Sequence, residues 1–514
     1  MRSVAVAAGF SLLLAACGSA AGQQLLETRS SADVVGPPAE ERPAVDQPNI
    51  VVLLTDDQTV EQMRALEETR RRVFDGGTEF VNSFVTYPTC CPSRATLLTG
   101  QYAHNHDVRW NAPPTGGFQN FQDQETALPV ALTNAGYSTI HLGKYLNGYG
   151  FFQEDRFTPP GWTDFKALVS PSDGQYFDFT VWDNGAMVTP EGYLTDVMTE
   201  FAVEAIERES ASGKPIFLHM AYTAPHGAFG FPLGEKELAA VAEELEPTEG
   251  DLEIKSPVPA PRHEGTLRDE QLPRPASLNE DAMDDKPRHV RGKRALTDDD
   301  IEEIERNYIA ELESLLAVDE SVVRILDTLE RLDELDDTVV MFTSDNGFFH
   351  GEHRLPFSKY LPYEESIRVP LAMAGPGVPV GASVETLVSN VDLAATILDL
   401  ASAESLRPLD GRSLVPLLEE PEDRWDRVIY LEGTAPEGPF RPQYRGIRSP
   451  RWVYVEYSHG GRELYDLQRD PFQLSNLAND PESQAVAAGY AALLDVYGRC
   501  AGSECNEIGD IDGS

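Results

Sequence analysis

The hydrophobic pattern of the chain predicts buried strands that alternate with amphipathic helices. Apolar residues from about 297 to 335 recur at near-helical spacing, after a capping pair of Thr297 and Asp300. Four other runs are short and almost continuously apolar, which is typical of strands buried on both faces of a parallel sheet. They are NIVVLLT at 49–55, YSTIHL at 137–142, IFLHMAY at 216–222 and TVVMF at 338–342. This alternation indicates an α/β fold.

The pattern weakens in one internal segment and changes near the C-terminus. Residues 234–295 are rich in acidic residues and proline without periodicity, which predicts a long surface loop. After about residue 425, short β-like pieces alternate with turns and lead to a helical stretch near 483–497. We therefore expect a large domain over 48–424 and a small C-terminal α+β subdomain with an antiparallel sheet over 425–514.

The N-terminus resembles the signal of a bacterial lipoprotein. After a basic start, an apolar run over 4–16 is too short for a spanning helix and leads into LAACG. The resemblance to a lipobox implies a signal peptide over 1–16, acylation of Cys17 and a flexible tether over 17–47. It implies a lipid-anchored protein of the bacterial cell envelope, periplasmic or on the cell surface. An ordinary secretory signal with a chance cysteine is the alternative.

Composition argues against one class of partner and favours one covalent link. The 41 Lys and Arg residues against 85 Asp and Glu residues give a formal net charge of −44. That average field repels a polyanion such as DNA, so we expect no nucleic-acid partner, although a local basic pocket for a small anion is compatible with it. In an exported chain Cys500 and Cys505 are expected to form a disulfide. Two free thiols in a disordered tail are the alternative.

Each of the four predicted strands delivers polar groups at its carboxyl end. In chain order these groups are Asp56 and Asp57, Lys144, His226, and Asp345 with Asn346. Open α/β sheets bind ligands at the carboxyl ends of their strands, so these groups are candidates for binding an ion or an anion.

The densest chemical signal is CCPSR at 90–94, continued by TG at 99–100. It resembles the signature of the sulfatase family, C-x-P-S-R with a downstream T-G. By that resemblance a formylglycine-generating enzyme converts Cys90 to formylglycine, and Cys91 fills the variable position. The hydrated aldehyde has two hydroxyls on one carbon, so one can attack sulfur and the other can later expel sulfate. For the cysteine pair alone, a vicinal disulfide or two buried thiols are alternatives.

The resemblance to sulfatases covers nearly the whole mature chain. It implies an alkaline phosphatase-like fold, with a large mixed, mostly parallel sheet flanked by helices and a small antiparallel C-terminal subdomain. It also implies one Ca²⁺ per chain, a cation that takes hard oxygen ligands. The ligands that it assigns are Asp56, Asp57, Asp345, Asn346 and the formylglycine at Cys90. Taken alone, the two adjacent aspartates could equally mark a helix N-terminus.

The resemblance assigns the other catalytic roles to three cations and one histidine. Arg94 holds the formylglycine, Lys144 and Lys359 grip the sulfate oxygens, and His226 protonates the leaving alcohol. Taken singly, each lysine is more typical of a solvated surface than of a ligand site, and His226 alone is compatible with either role, so these assignments depend on the order of the family motifs.

The chain departs from the family pattern after the first of those lysines. Many sulfatases carry a histidine two or three residues later, where this chain has Leu146 and Asn147. The base that assists the formylglycine hydroxyl is therefore left open between Asn147, which cannot shuttle protons at neutral pH, and His104. For His104 a structural role is the alternative. His350 and His353 follow the assigned metal ligands and are weaker candidates for facing the substrate.

The sequence therefore predicts a calcium- and formylglycine-dependent sulfuric ester hydrolase. Its motifs look more like the N-acetylglucosamine-6-sulfatase and extracellular heparan-sulfatase branch than like lysosomal arylsulfatases, which suggests a 6-O-sulfated amino sugar. A broad arylsulfatase is equally compatible. The acidic surface favours a terminal sugar or a small sulfate ester over a long glycosaminoglycan chain. The alternatives are a phosphate or phosphonate monoester hydrolase of the same superfamily and a non-catalytic lipoprotein that binds sulfated glycans.

Overall fold

Most strands in the described part of the chain belong to one ten-stranded sheet and one four-stranded sheet. The computed structural model describes residues 47–229, 254–433 and 443–509. Within them the strands are β1 Asn49–Asp56, β2 Thr78–Phe80, β3 Ser83–Phe84, β4 Ser138–Gly143, β5 Asp164–Leu168, β6 Val181–Asp183, β7 Ala186–Val188, β8 Ile216–Pro225, β9 Ala228–Phe229, β10 Ile254–Lys255, β11 Thr338–Ser344, β12 Leu371–Ala374, β13 Ala382–Val384, β14 Val388–Ser389, β15 Ile429–Gly433, β16 Tyr444–Arg448, β17 Trp452–Tyr457 and β18 Arg462–Asp466.

The long helix predicted from the apolar spacing is present and starts where the capping pair indicates. The Thr297 side chain accepts the Asp300 amide N–H, and the Asp300 side chain accepts the Thr297 amide N–H, which together form a capping box. The α-helices of the described residues are α1 Glu67–Thr69, α2 Cys90–Thr99, α3 Ala103–His106, α4 Leu128–Asn134, α5 Leu194–Ser210, α6 Arg288–Arg291, α7 Asp298–Arg331, α8 Glu364–Ile367, α9 Val391–Leu400, α10 Val415–Glu419 and α11 Gln484–Tyr497.

The four aliphatic runs lie side by side in the centre of the large sheet. Its strand order is β13-β2-β12-β11-β1-β8-β4-β5-β6-β7, and the strands from β11 to β5 are parallel. Strands β12 and β6 pair antiparallel at either side. The large mixed, mostly parallel sheet is therefore confirmed.

Helices cover both faces of this sheet, which explains why β1 is apolar without alternation. Val51 and Leu53 pack in a core with residues of α5 and α7, whereas Ile50 and Val52 pack in a second core with residues of α2, α4 and α9. A strand that is buried on both faces has no solvent-exposed face, so its side chains do not alternate between apolar and polar. The parallel arrangement then brings the carboxyl ends of β4, β8, β1 and β11 to one edge.

The C-terminal segment forms the predicted small antiparallel sheet. Strands β15 to β18 pair in sequence order, and α11 packs on them through a core that contains Tyr430, Tyr454 and Leu494. The predicted closing helix and the disulfide between Cys500 and Cys505 are both confirmed.

The proline-rich segment buries more of its polar side chains than its composition suggests. Of the range 234–295, the structure describes 254–295, and this part buries Ser277, Glu280 and Lys286. Lys286 Nζ donates to Glu280 Oε1 at 2.8 Å and to the Leu474 carbonyl at 2.6 Å. Most of the stretch is exposed and without regular structure, as expected of a surface loop, but hydrogen bonds and an ion pair allow a few of its polar and charged side chains to be buried.

The predicted signal peptide, the predicted acylation site at Cys17 and nearly all of the predicted tether lie outside the described residues. In the part of the chain that the structure does describe, no helix is long and apolar enough to cross a membrane.

Candidate active site

The carboxyl ends of β1 and β11 bring two pairs of polar residues together. Thr55 pairs with Ser344 in parallel register, so the residues that follow each strand are neighbours. The Asp57 amide N–H donates to Asp345 Oδ1 at 3.2 Å, and Asn346 Nδ2 donates to Asp57 Oδ1 at 2.6 Å. Asp57 has a φ of +68°, which turns the chain sharply after the strand.

Cys90 is the first residue of α2 and points into this group of acids. Its side chain is 1% exposed, and its thiol donates to Asp56 Oδ1 at 3.4 Å. Lys359 Nζ donates to Cys90 Sγ at 2.8 Å. Burial, followed by the negative charge of Asp56, raises the pKa of the thiol well above its usual range, so an unmodified Cys90 is a poor nucleophile here.

Four candidate ligand groups are close enough to share one cation. One ligand atom from each of Asp56, Asp57, Cys90 and Asp345 lies within 4.8 Å of the others, and all four residues are buried. Asn346 Oδ1 is also buried and has no hydrogen-bond partner among the described residues. Burial, together with the charge of Asp56, raises the pKa of Asp345 to about 6. A hard divalent cation fits this set, because it would relieve the repulsion between the carboxylates and take Asn346 Oδ1 as a ligand.

Three buried cations surround the acids. Arg94 donates from Nε to Asp345 Oδ2 at 2.7 Å, and its Nη2 lies 3.2 Å from Asp56 Oδ2. Lys144 Nζ donates to Asp56, and Lys359 Nζ donates to Asp57. Burial alone would raise the pKa of Asp56, but the nearby cations, Lys144 first, hold it below its usual range.

Lys144 is placed by a glycine at the end of β4. Gly143 has a φ of +99°, and a Cβ there would stand 2.0 Å from the Ala221 carbonyl oxygen. That close approach lets the Lys144 amide N–H donate to the same carbonyl at 2.9 Å, which fixes the chain as it leaves the sheet.

His226 lies directly after β8 and faces the same acids. Its Nδ1 is 2.7 Å from the Gly227 carbonyl, and its Nε2 is 3.9 Å from Asp57 Oδ2. Because a carbonyl can only accept, Nδ1 carries a proton and Nε2 is the nitrogen that titrates. Burial and then Lys144 lower the pKa of His226, so the imidazolium gives up its Nε2 proton more readily than an ordinary histidine.

The structure does not bring His104 to this cluster. Its Nδ1 contacts Glu432 Oε1 at 3.1 Å, its Nε2 contacts the Cys500 carbonyl at 3.2 Å, and its ring stacks on Tyr102. Both ring nitrogens are thus used in the contact with the C-terminal subdomain. The assignment of His104 as a base is therefore corrected to a structural role.

We expect His104→Gln to affect stability and not turnover. Burial lowers the pKa of His104, but the Glu432 hydrogen bond and charge raise it more, to a net value above its usual 6.5. The charged pair therefore stabilises the fold fully below the ordinary pKa, and this stabilisation is lost as the pH rises through the raised value. The substitution should lower the melting temperature more at about pH 6 than at about pH 8. If the variant, compared at the same concentration of folded protein, loses more than about threefold in kcat/KM, the purely structural role of His104 is contradicted.

Asn147 stays near the site through its backbone. Its carbonyl accepts the Phe118 amide N–H at 2.8 Å, and a backbone hydrogen bond joins it to the sulfur of Cys91. Its Oδ1 is buried without a hydrogen-bond partner among the described residues. An amide oxygen can orient a hydroxyl but cannot take its proton, so Asn147 is a candidate for positioning.

The two histidines after the metal-ligand candidates are held by internal acids. His350 Nε2 lies 2.6 Å from Glu311 Oε2, and His353 Nδ1 lies 2.8 Å from Glu280 Oε2. His353 is fully buried and stacks on Tyr363 at a centroid distance of 4.1 Å. These contacts favour packing roles for both histidines over contact with the substrate.

Several residues that support the site were not found from the sequence. Asn111 Oδ1 accepts the Cys91 amide N–H at 2.9 Å, and Tyr176 donates its hydroxyl to the His226 carbonyl at 2.8 Å. Glu311 holds His350 from the long helix. None of them follows a predicted strand or forms part of a motif, so no local signal pointed to them.

The chain is similar to known proteins over most of its length. The family model described as "Sulfatase" matches residues 48–403, and the one described as "N-sulphoglucosamine sulphohydrolase, C-terminal" matches residues 351–496. An arylsulfatase of Volvox carteri is 32% identical over 507 residues, which cover 90% of this chain and 76% of that protein. The N-acetylglucosamine-6-sulfatase of Homo sapiens is 28% identical over 512 residues, covering 91% of this chain and 87% of that protein.

A solved structure shows the same similarity in three dimensions. It is a complex of a protein with its substrate D-glucosamine-2-N,6-O-disulfate, and it is 25% identical to this chain with a TM-score of 0.70. The match covers 88% of this chain and 97% of the solved one. The similarity therefore extends well beyond the signature at 90–100.

Proposed function

Because this chain belongs to the sulfatase family and is a hydrolase of sulfuric esters, we propose that it removes the sulfate of a sulfated sugar such as N-acetylglucosamine 6-sulfate. We further propose that the nucleophile is formylglycine made from Cys90 and that one Ca²⁺ is bound beside it. The sugar is supported by the human relative, which is an N-acetylglucosamine-6-sulfatase, and by the solved neighbour, whose substrate is a disulfated glucosamine.

The observation that carries this proposal is the placement of Cys90. It stands at the start of α2 between an acid and a lysine, with Asp56 Oδ1 at 3.4 Å and Lys359 Nζ at 2.8 Å. The raised pKa of its thiol argues against cysteine chemistry at this position. Formylglycine would supply there a hydrated aldehyde, which provides one hydroxyl to attack sulfur and a second to release sulfate.

The charges of the site suit a sulfate ester once a cation is present. The carboxylates of Asp56, Asp57 and Asp345 would hold Ca²⁺ together with Asn346 Oδ1, and the ion would supply Lewis-acid stabilisation of negative charge. Three acids and three basic side chains cancel, so the divalent ion leaves the site with a net positive charge. That excess favours an anionic ester even though the chain as a whole is strongly acidic.

The basic residues and the histidine have separate tasks in this proposal. Lys144 and Lys359 bind sulfate oxygens and stabilise the charge that develops on them. Arg94, whose Nη1 donates to the Lys144 carbonyl at 2.6 Å, orients the group at position 90. His226 donates the proton from Nε2 to the oxygen of the leaving alcohol.

We expect His226→Ala to discriminate between leaving groups. The alcohol that leaves from a sugar sulfate needs a proton, so kcat for sugar sulfates should fall about 10²- to 10⁴-fold. An aryl sulfate with an acidic phenol needs no proton, so its kcat should fall less than about tenfold. Steady-state kinetics on both ester types checks this. An equal loss on both would contradict the role of His226 as the acid.

The substrate proposal is tested by comparing esters of one alcohol. Purified protein from the native host should hydrolyse N-acetylglucosamine 6-sulfate faster than N-acetylglucosamine 6-phosphate, and faster than the 3-O-sulfated isomer. A preference for the phosphate would place the chain with the phosphate or phosphonate hydrolases. If the protein hydrolyses aryl sulfates but no sugar sulfate, the proposed sugar substrate is wrong and the protein is a broad arylsulfatase.

The cellular location is also a proposal. The LAACG sequence supports acylation at Cys17 and a lipid anchor outside the cytoplasm. Mass analysis of the mature N-terminus tests this, because an unmodified N-terminus elsewhere in the chain would contradict an anchor at Cys17.

A further inference from the structure

Two aromatic side chains belong to loops that contact the segment of Cys90. The rings of Trp110 and Tyr360 have centroids 5.2 Å apart and planes inclined at 38°. Both side chains are partly exposed, unlike the large aromatic residues of the two cores. We call them the aromatic pair.

Each member of the aromatic pair is tied to the segment that carries Cys90. Tyr360 directly follows Lys359, whose Nζ contacts Cys90 Sγ, and its own amide N–H donates to the Pro88 carbonyl at 3.2 Å. Trp110 directly precedes Asn111, whose side chain accepts the Cys91 amide N–H at 2.9 Å. Each ring is therefore carried by the chain neighbour of a residue that contacts Cys90 or Cys91.

The backbone holds Tyr360 in an uncommon conformation. Its φ is +81°, a region that large side chains seldom adopt because of contact between Cβ and the backbone. Such conformations persist only where the surroundings impose them, and they are concentrated at binding and catalytic sites. Here the conformation lets consecutive side chains serve two purposes, with Lys359 reaching Cys90 and Tyr360 reaching Trp110.

We propose that the aromatic pair is a platform for the sugar ring of the substrate and determines specificity for the alcohol part of the ester; this rests on the proposed sugar sulfatase function. In the proposed function, Lys144, Lys359 and the calcium held by the acids recognise the sulfate, which is identical in every sulfate ester. In a 6-O-sulfated pyranose only an oxygen and a methylene separate sulfur from the ring, so the ring lies within one side-chain length of Cys90. A pyranose has a face of C–H groups, and aromatic rings offer the matching apolar surface.

Binding to an inactive variant tests the platform separately from turnover. In the Cys90→Ala background with calcium present, titration calorimetry with N-acetylglucosamine 6-sulfate should show a dissociation constant about tenfold higher after Trp110→Ala. Binding of ethyl sulfate, which has no ring, should change less than about twofold. Trp110→Phe should restore sugar binding to within about threefold.

Trp425→Ala is the matched control. Trp425 is also partly exposed and packs on a guanidinium, that of Arg412 at 4.6 Å, but it lies in the segment before β15. It should leave both dissociation constants unchanged. If Trp110→Ala does not fold, Tyr360→Ala tests the same platform.

Three results would overturn the platform. They are unchanged sugar binding in the folded Trp110→Ala variant, an equal loss for ethyl sulfate, and no sugar binding by the Cys90→Ala parent. Failure of the proposed function is seen independently, as absence of sulfate release by the enzyme that retains Cys90. In that active enzyme Trp110→Ala should raise KM for the sugar ester while kcat changes less than about threefold.

Discussion

Cys90→Ala should abolish hydrolysis of every sulfate ester that the protein accepts. The variant cannot be converted to formylglycine, so no nucleophile remains between Asp56 and Lys359. Loss of the group that forms the covalent bond costs on the order of 10⁴-fold or more in kcat. Cys90→Ser should be equally inactive in steady state, because a serine has one hydroxyl and cannot expel sulfate by elimination.

Cys91→Ala is the matched control for this experiment. Cys91 is the next residue, is equally buried and belongs to the same helix, and its thiol contacts the backbone of Asn147. We expect its removal to change kcat/KM less than about tenfold, since a small side chain is replaced by a slightly smaller one. Activity of Cys90→Ala comparable to that of Cys91→Ala, with both variants folded, would refute Cys90 as the nucleophile.

Asp56→Asn should cause the second large loss, through the metal. Asp56 is fully buried and contacts Cys90, Lys144 and Arg94. Its amide replacement has nearly the same volume but removes one negative charge from the candidate ligand set, so calcium affinity should fall sharply. We expect kcat/KM to fall on the order of 10³-fold. Elemental analysis should find about one calcium per chain in the parent and far less in the variant.

Asp392→Asn controls for burial of a charged aspartate. Asp392 is also fully buried and accepts a hydrogen bond from Arg427 at 2.8 Å, but it lies in α9 and is not one of the candidate metal ligands. It should lower the melting temperature without changing the calcium content. Chelation of the parent with EGTA should abolish activity, and calcium should restore it; full activity in the chelated enzyme would rule out the metal.

Local sequence was enough to predict the scaffold of the site. A continuous aliphatic run that ends in acids has few structural interpretations, and the run at 49–55 followed by Asp56 and Asp57 is a buried strand as expected. The parallel sheet then determines where the ends of the other strands lie. For the same reason Lys144, His226 and Asp345 were placed on one edge from their positions in the chain.

Contacts between distant segments could not be predicted in the same way. His104 is held by Glu432, which lies 328 residues further along the chain, and nothing in the AHNHDV stretch indicates that partner. Trp110 and Tyr360 meet because separate loops converge on the Cys90 segment. The segment 254–295 is buried in part because Lys286 finds Glu280 and a carbonyl of the C-terminal subdomain. Such pairings depend on tertiary structure and have no periodic signal.

The conversion of Cys90 to formylglycine is open to a direct test by mass spectrometry of a single peptide. Trypsin releases residues 73–94, which contain Cys90 and Cys91 and end at Arg94. In active protein from the native host, we predict that this peptide has an aldehyde in place of one thiol, located at position 90 by fragmentation. Unmodified Cys90 throughout a preparation that hydrolyses sulfate esters would rule out formylglycine as the nucleophile.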